Sequence, residues 1–379
     1  MDTTYPADLA FTRPTEAEAC PVRPGLKRVK PRARGVAEAF DFHQCHVTDM
    51  VDGDFLPDLF DHGFDTTELT GFDKLQRTLE SCRQEAHIED EDAAVIRSTF
   101  EGATLTLASG RSLTVQFVSP DGLVMRKAGP NGHKVCGPMT TMNDHGAATS
   151  IHADQDVLGT PLVQVMGGRA PDLFRHHAPD SRNDDGDLLL LNVWIPLDAI
   201  TRPLVLADSN TLDRRQHQLR YGLQVDEFLD RDEDQQINDI WTFLHHEDQR
   251  WYFRSEMKST SAYVFDTMGT AHGSFILPGE DAAEAAYLAL EAAIDALENG
   301  DAGALRSASA VNIAPPAITT PPLQTAIEEM VRLLDEAATN AEGLCANSTA
   351  ASEWTEASRT ARSRVERKSI ELRIVASTT

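Results

Sequence analysis

The sequence predicts a mainly β protein with additional helices (α+β), and two observations lead to this fold class. Several short segments after Ala103 either alternate apolar and polar residues or are wholly apolar, as the strands of a sandwich or barrel are. Two later segments instead repeat apolar residues every three or four positions, which is typical of amphipathic helices. Strands before and after the helices suit a sandwich or barrel better than a parallel α/β sheet.

The β core is predicted to begin at about residue 103. There the segment TLTLASGRSLTVQFV alternates apolar and polar residues, and a Ser-Pro-Asp-Gly turn precedes the returning strand LVMRKAG. Further predicted strands cover residues 150–154, 188–196, 203–207, 251–254 and 262–266, and the last covers residues 367–375 (RKSIELRIV). Most of the predicted strands are short, and irregular loops separate them.

Helices are predicted before and within this β core. Residues 65–98 carry charged side chains with apolar residues at helical spacing. A helical insertion over about residues 279–345 precedes the last core strand, and it could form a lid or a dimerisation surface. Its two apolar stripes are Tyr287, Leu290, Ile294 and Leu297, followed by Leu323, Ile327, Met330 and Leu334. We expect a flexible basic N-terminal arm over residues 1–35 and a single domain over residues 36–379.

Composition excludes several classes of partner. The formal net charge of −26 disfavours nucleic acids and anionic membranes, although the basic stretch from Arg23 to Arg34 could contact a polyanion or simply be solvated. No apolar run reaches the roughly 18 residues of a membrane span, and the N-terminus lacks the pattern of a secretory signal. We therefore expect a cytoplasmic protein. The five scattered cysteines indicate reduced thiols rather than a disulfide framework.

His152 and Asp154 are the strongest candidate metal ligands. In a strand, residues two apart point to the same face, so this pair can present an imidazole and a carboxylate to one ion. The His-x-Asp or His-x-Glu pattern occurs four times, starting at His87, His152, His245 and His246, but only His152 lies in a β segment. With His272 from a later strand it would form the 2-His-1-carboxylate site of non-haem iron enzymes. His272 could alternatively be a turn histidine bonded to backbone.

Arg367 and Ser369 are candidate ligands for a dicarboxylate. They share one face of the last predicted strand with Glu371 and Arg373, and a guanidinium and a hydroxyl two residues apart can bind a carboxylate. Arg373 is the alternative arginine for this role. Both arginines could instead form surface ion pairs on an edge strand.

In sequence order, the blocks IHADQD, LNVWIPL, QRWYF to FDTMGTAHGSF and RKSIELR resemble a family of iron(II)/2-oxoglutarate-dependent oxygenase-like proteins. It comprises fungal hydroxylases and desaturases and the bacterial cephalosporin methoxylase component, and the blocks span about residues 148–374. The helical insertion departs from the family pattern. Asn192, Trp194, Trp251 and Tyr252 fall within these blocks and could line the site or pack in the core.

The resemblance implies a double-stranded β-helix (jelly-roll, cupin-like) core that uses Fe(2+), 2-oxoglutarate and O2. It implies hydroxylation, desaturation or oxidative cyclisation of a small molecule in specialised metabolism, with His152, Asp154 and His272 on the metal. Two other functions stay open. One is a cupin-like metal enzyme that does not use 2-oxoglutarate, and the other is a non-catalytic binding protein on the same fold. The insertion could also mediate homo-oligomer formation.

Overall fold

The computed structural model describes residues 3–13, 17–19, 27–32, 40–51, 53–119, 122–154, 188–224 and 237–378. Their strands are β1 (Thr3–Thr12), β2 (Ala17–Ala19), β3 (Lys27–Arg32), β4 (Phe40–Asp49), β5 (Phe64–Glu68), β6 (Thr104–Thr106), β7 (Ser112–Val118), β8 (Val124–Ala128), β9 (His152–Ala153), β10 (Leu189–Asp198), β11 (Leu204–Ala207), β12 (Gln218–Gln224), β13 (Ile237–Phe243), β14 (Trp251–Phe253), β15 (Ser261–Asp266), β16 (His272–Ser274) and β17 (Arg367–Thr378). Their helices are α1 (Leu59–His62), α2 (Asp73–Glu85), α3 (Asp90–Phe100), α4 (Arg214–His217), α5 (Glu280–Glu298), α6 (Ala302–Ser309), α7 (Pro321–Thr339), α8 (Ala341–Ala346) and α9 (Ser348–Arg364). These elements confirm the predicted mainly β fold with helices.

A seven-stranded sheet follows the order β5, β15, β10, β17, β7 and β6, and β8 also pairs with β17. Its central strand β10 is almost entirely apolar in sequence and buried on both faces. One face packs against α2 and α3, where Val193 and Ile370 share an apolar cluster with Leu79 and Ile96. The alternate residues of β10 and β17 therefore point to the other face, toward the interior of the protein.

A ten-stranded sheet follows the order β1, β4, β14, β11, β16, β9, β13, β12, β3 and β2. Its middle strands β9 and β16 are short, and β16 pairs with both β9 and β11. Pro6 lies in β1, at the edge of the sheet, where its missing N–H costs no ladder hydrogen bond. The sheet is thus built around two short strands that carry candidate metal ligands.

The helical insertion covers one face of the ten-stranded sheet. Buried residues of α5 and α7, such as Leu290 and Leu334, belong to the same apolar cluster as Trp251 and Phe275 of the sheet region. Seven of the eight stripe residues are at most 5% exposed, and Leu297 is 7% exposed. Both predicted helices are confirmed, but their stripes pack within this chain and so give no argument for a lid or a dimer surface.

Two expectations about helices need correction. Residues 65–68 were expected to be helical, but they belong to β5, which pairs antiparallel with β15. Pairing with a neighbouring strand outweighs local spacing there, and Thr66 and Thr67 suit a strand because they are β-branched. The helical insertion also runs beyond residue 345, since α9 continues to Arg364. Its sequence is mostly polar, so it shows little apolar stripe.

The expected flexible arm over residues 1–35 is wrong for β1. This strand pairs with β4 along its whole length, and Tyr5, Ala7, Leu9 and Phe11 are buried on one face. That alternation of apolar residues is the signal of a strand. Lys27–Arg32 also forms a strand, while residues 1–2, 14–16, 20–26 and 33–35 of the arm lie outside the described residues. Among the described helices, none is long and apolar enough to span a membrane.

Candidate metal centre

Two neighbouring strands bring His152 and His272 face to face. β9 and β16 run antiparallel, and His272 is the direct partner of His152. A Cβ atom on Gly273 would lie 3.0 Å from Cδ1 of Ile151 and 3.2 Å from the carbonyl oxygen of Ser150, so glycine lets the strands approach closely. The two imidazole rings lie 4.5 Å apart between centroids.

Asp154 completes a cluster of three ligand-type side chains. Its Oδ1 lies 3.6 Å from Nε2 of His152 and 3.6 Å from Nε2 of His272. One donor atom from each residue lies within 4.8 Å of the others, and all three side chains are buried. No other group of histidine, cysteine or acidic residues in the described ranges meets this criterion. A single ion could contact all three donors.

Backbone carbonyls fix the orientation of both imidazoles. Nδ1 of His152 lies 2.7 Å from the carbonyl oxygen of Ser150, and Nδ1 of His272 lies 2.9 Å from that of Thr270. Since a carbonyl oxygen only accepts, Nδ1 carries the proton in each ring and donates it. Nε2 is then left with its lone pair facing Asp154, which is the arrangement of metal-binding histidines.

Asp154 is held by two further side chains. Nδ2 of Asn192 donates to its Oδ2 at 3.1 Å, and Nη2 of Arg373 lies 3.8 Å from its Oδ1. Burial alone would raise the pKa of Asp154, but the charge that His272 carries when its Nε2 also takes a proton, together with the charge of Arg373, lowers it well below its ordinary value. Burial would likewise lower the pKa of His272, and Asp154 raises it instead. The centre therefore holds a carboxylate anion at neutral pH.

The other three His-x-acid pairs lie apart from this centre. His87 is half-exposed and its Nε2 lies 3.6 Å from Oε1 of the exposed Glu89. His246 is also half-exposed, and it lies 3.4 Å from the exposed Asp248. His245 stacks on a second histidine ring at 4.3 Å. The predicted strand around His152 thus distinguished the metal-binding His-x-Asp motif from the three other occurrences of the pattern.

Arg367 and Ser369 lie in the buried interior. Arg367 is 1% exposed and Ser369 is 0% exposed, although β17 follows an insertion that is absent from the family pattern. Nε and Nη1 of Arg367 and Oγ of Ser369 have no hydrogen-bond partner among the described residues. Neither side chain is therefore a surface ion-pair partner on an edge strand, and their free donors resemble an anion site.

Arg373 and Glu371 have other contacts on the same strand. Arg373 lies beside Asp154, as described, whereas Oε1 of Glu371 accepts from Nε of Arg126 at 2.5 Å. Burial lowers the pKa of Arg367 to about 9, and the charges of Arg126 and Arg202 act in the same direction while Glu371 opposes them. Arg367 is thus the arginine of β17 without a close carboxylate among the described residues.

Of the four aromatic and amide residues left open, two line the site. Asn192 contacts Asp154, and the guanidinium of Arg367 lies 5.6 Å from the ring centroid of Trp194, whose buried Nε1 has no partner within the described chain. Trp251 packs in the apolar cluster beneath the insertion helices, and Tyr252 stacks on a phenylalanine ring. The Asn-x-Trp spacing on one strand was the signal that could have separated these pairs.

Comparisons with known proteins agree with this architecture. A family model described as an oxidoreductase/YMDC permease-like domain matches residues 124–284, which is less than half of the chain but includes all three candidate ligands. Curated proteins give no match.

Solved structures of the iron and alpha-ketoglutarate-dependent endoperoxidase NvfI are similar over 99% of this chain. One of them, in a different conformation, has a TM-score of 0.51 at 15% identity and is covered over 98% of its length. A variant has a TM-score of 0.50 at 14% identity and 97% coverage. A third structure has a TM-score of 0.48 at 15% identity and 98% coverage. At such identities the likeness concerns the fold, and it agrees with the resemblance of the sequence blocks. The chain therefore has the jelly-roll, double-stranded β-helix fold that this endoperoxidase also has.

Proposed function

We propose that this protein is a non-haem iron(II)/2-oxoglutarate-dependent oxygenase that hydroxylates, desaturates or oxidatively cyclises a small molecule in specialised metabolism. The observation that carries the proposal is the cluster of His152, Asp154 and His272, with three donor atoms within 4.8 Å of one another in a buried position. The oxidoreductase-like family match and the fold support the same class of enzyme.

The donor set fits iron(II). Two neutral imidazoles and one carboxylate are the ligands of the facial triad, and they leave open positions on an octahedral ion. The carbonyl oxygens of Ser150 and Thr270 hold both rings in the metal-binding tautomer. Because Asp154 supplies the carboxylate, no position is freed for a halide, so halogenation is disfavoured relative to hydroxylation.

The buried polar atoms near Trp194 fit the co-substrate. Two N–H groups of Arg367 and the hydroxyl of Ser369 lack partners among the described residues, and a buried guanidinium without a carboxylate is unfavourable. The distal carboxylate of 2-oxoglutarate would supply the missing acceptor atoms. A bidentate guanidinium–carboxylate pair is the strongest contact of this kind.

When bound, iron(II) together with 2-oxoglutarate supplies the O2 activation that permits attack on a C–H bond. The chain provides the setting for this chemistry. Asn192 and Arg373 hold the Asp154 carboxylate, the backbone orients both histidines, and Arg367 and Ser369 place the co-substrate. His152, Asp154 and His272 are each at most 8% exposed, so the fold shields the centre from bulk water.

The proposal is tested by assaying succinate formation and O2 uptake with iron(II) and 2-oxoglutarate, alongside equilibrium iron binding. We expect His152→Ala and Asp154→Ala to bind iron at least about 100-fold more weakly and to lose turnover, since each removes a ligand. His246→Ala is the matched control, because it changes a half-exposed histidine of the same sequence pattern that lies outside the metal cluster. Wild-type protein that binds no iron(II) contradicts the proposal. Turnover that needs iron but not 2-oxoglutarate indicates a cupin-like enzyme of another class.

A further inference from the structure

Arg202 is a buried arginine that the sequence motifs did not single out. It is 5% exposed and has a φ of +47°, in the left-handed region that non-glycine residues rarely adopt. Its Nη2 donates to Oγ1 of Thr149 at 2.8 Å and to Oγ of Ser274 at 3.1 Å. Its Nε is buried and has no hydrogen-bond partner in the described part of the chain. The guanidinium is thus only partly satisfied.

Its contacts place the guanidinium beside the metal-binding strands. Thr149 precedes His152 by three residues, and Ser274 follows His272 by two in β16. Residues two apart in a strand face the same side, so Ser274 points to the interior face that carries His272. The guanidinium of Arg202 therefore contacts the interior face of β16 two residues along the strand from the candidate metal ligand His272.

Arg202 also lies near Arg367, because Oγ1 of the adjacent Thr201 donates at 2.7 Å to the carbonyl oxygen of Val365, two residues before Arg367. Burial is the main cause that lowers the pKa of Arg367, and the charge of Arg202 contributes in the same direction. The positive charge of Arg126 is balanced by the carboxylate of Glu371, to which its Nε donates a hydrogen bond. Neither Arg202 nor Arg367 has a carboxylate within 4.0 Å among the described residues, although the charges of Glu280 and Glu371 act on them from further away. Neither guanidinium is therefore in direct contact with an anion there.

Such an arrangement is costly without an anion. Two like charges repel each other most strongly where water cannot screen them, and a left-handed backbone at a non-glycine residue adds about 1 kcal/mol or more of strain. The backbone N–H of Arg202 donates to Oε1 of Glu280 at 2.7 Å, which holds the strained backbone in place. A structure that maintains Arg202 in this position is organised to receive a negatively charged group.

We propose that Arg202, positioned with Ser274, is a second guanidinium of the distal carboxylate subsite and selects a dicarboxylate 2-oxo acid. This inference rests on the proposed function. Arg367 and Ser369 contact the carboxylate from β17, and Arg202 faces it from the loop that precedes β11. A 2-oxo acid without a distal carboxylate leaves both guanidinium groups uncompensated and is disfavoured.

The test is anaerobic equilibrium binding of 2-oxoglutarate and 2-oxobutyrate to the iron(II)-loaded protein, followed by the charge-transfer absorption of the bound 2-oxo acid. We expect Arg202→Met to weaken 2-oxoglutarate binding about 10- to 100-fold, as loss of a charged hydrogen bond does, and to change 2-oxobutyrate binding by less than about threefold. Arg202→Lys should recover part of the loss, and Ser274→Ala should show a smaller loss. Arg306→Met is the control, since it removes an exposed arginine that pairs with Glu342.

The outcomes separate this inference from the proposed function. If wild-type protein binds 2-oxoglutarate and Arg202→Met binds it equally well, Arg202 has only a structural role and the inference alone is wrong. Equal losses of affinity for both 2-oxo acids also overturn the inference, because they indicate that the substitution has disrupted the whole site. Iron affinity and thermal unfolding of the milder variants Ser274→Ala and Arg202→Lys show whether such disruption occurs. If wild-type protein binds no 2-oxoglutarate, both proposals are wrong.

Discussion

The two carboxylate oxygens of Asp154 have different contacts. Oδ1 faces Nε2 of both histidines, whereas Oδ2 accepts a hydrogen bond from Asn192 at 3.1 Å. Asn192 therefore decides which oxygen is turned toward the position of an ion. Partners of this kind orient metal ligands and contribute to metal affinity although they do not touch the metal.

Replacing Asn192 by alanine should consequently weaken iron(II) binding about 10- to 100-fold while the protein stays folded. The carboxylate then rotates more freely and pays more entropy on binding. An anaerobic iron(II) titration with a competing chelator measures this effect. Asn210→Ala, at an exposed position, is the control. Unchanged iron affinity in Asn192→Ala would show that Arg373 and the histidines orient the carboxylate without it.

At the residue scale, site residues that lie close together in one sequence motif were predictable. Site residues that come together only through the tertiary fold were not. His152 lies in β9 and Asp154 directly follows this strand, two residues on, so their common direction follows from local geometry. Arg202 belongs to no motif, and its partner Ser274 lies 72 residues away. Its role depends on which strands become neighbours in the fold, and the local sequence pattern around residue 202 does not show this.

At the element scale, strongly patterned segments were predictable. The strand β10 is long and apolar, and β17 is long and alternates apolar and polar residues. The helices α5 and α7 have clear apolar stripes; a glycine follows the end of α5, and α7 begins with proline. α9 was missed because Trp354 is its only large buried side chain. A strand is predicted over residues 150–154, but only His152 and Ala153 form β9. The short strand β16 exists through its pairing with β9 and β11, which local sequence does not show.

The helix α5 allows a matched test of packing. Leu290 is 0% exposed and lies in the apolar cluster against the ten-stranded sheet, whereas Leu288 on the same helix is 40% exposed. We expect Leu290→Ala to lower the free energy of unfolding by about 2 to 5 kcal/mol through lost burial and a cavity. Leu288→Ala should lower it by less than about 1 kcal/mol. Urea unfolding of both variants measures the difference, and equal effects would mean that α5 does not pack as described.

At the scale of the whole molecule, one buried carboxyl joins the insertion to the β core. Oε1 of Glu280 accepts from the backbone N–H groups of Leu277 and Arg202, and its Oε2 accepts from that of Asn131. Burial raises the pKa of Glu280 to about 7, and the hydrogen bonds only partly oppose this. Three separate segments of the chain thus depend on one group that titrates near neutrality.

Stability should therefore decrease with pH near neutrality. Because the pKa of Glu280 is higher in the folded than in the unfolded protein, its contribution is fully present below the unfolded value and is lost as pH rises through about 7. Between about pH 5 and pH 8 we expect wild type to lose about 2 to 3 kcal/mol more unfolding free energy than Glu280→Gln does. Urea unfolding across this range tests it, with the exposed Glu353→Gln as the control. Parallel pH profiles for wild type and Glu280→Gln would contradict the prediction.

The position of β17 in its sheet has a consequence for how the molecule folds. β17 lies between β10 on one side and β7 and β8 on the other, yet it comes last in sequence among the described elements. Until β17 joins, β10, β7 and β8 expose unpaired edges, and such edges recruit other chains. The sheet also depends on contacts between distant parts of the chain, which slow folding. During synthesis the nascent protein thus keeps an open, aggregation-prone sheet until the strand that carries Arg367 arrives.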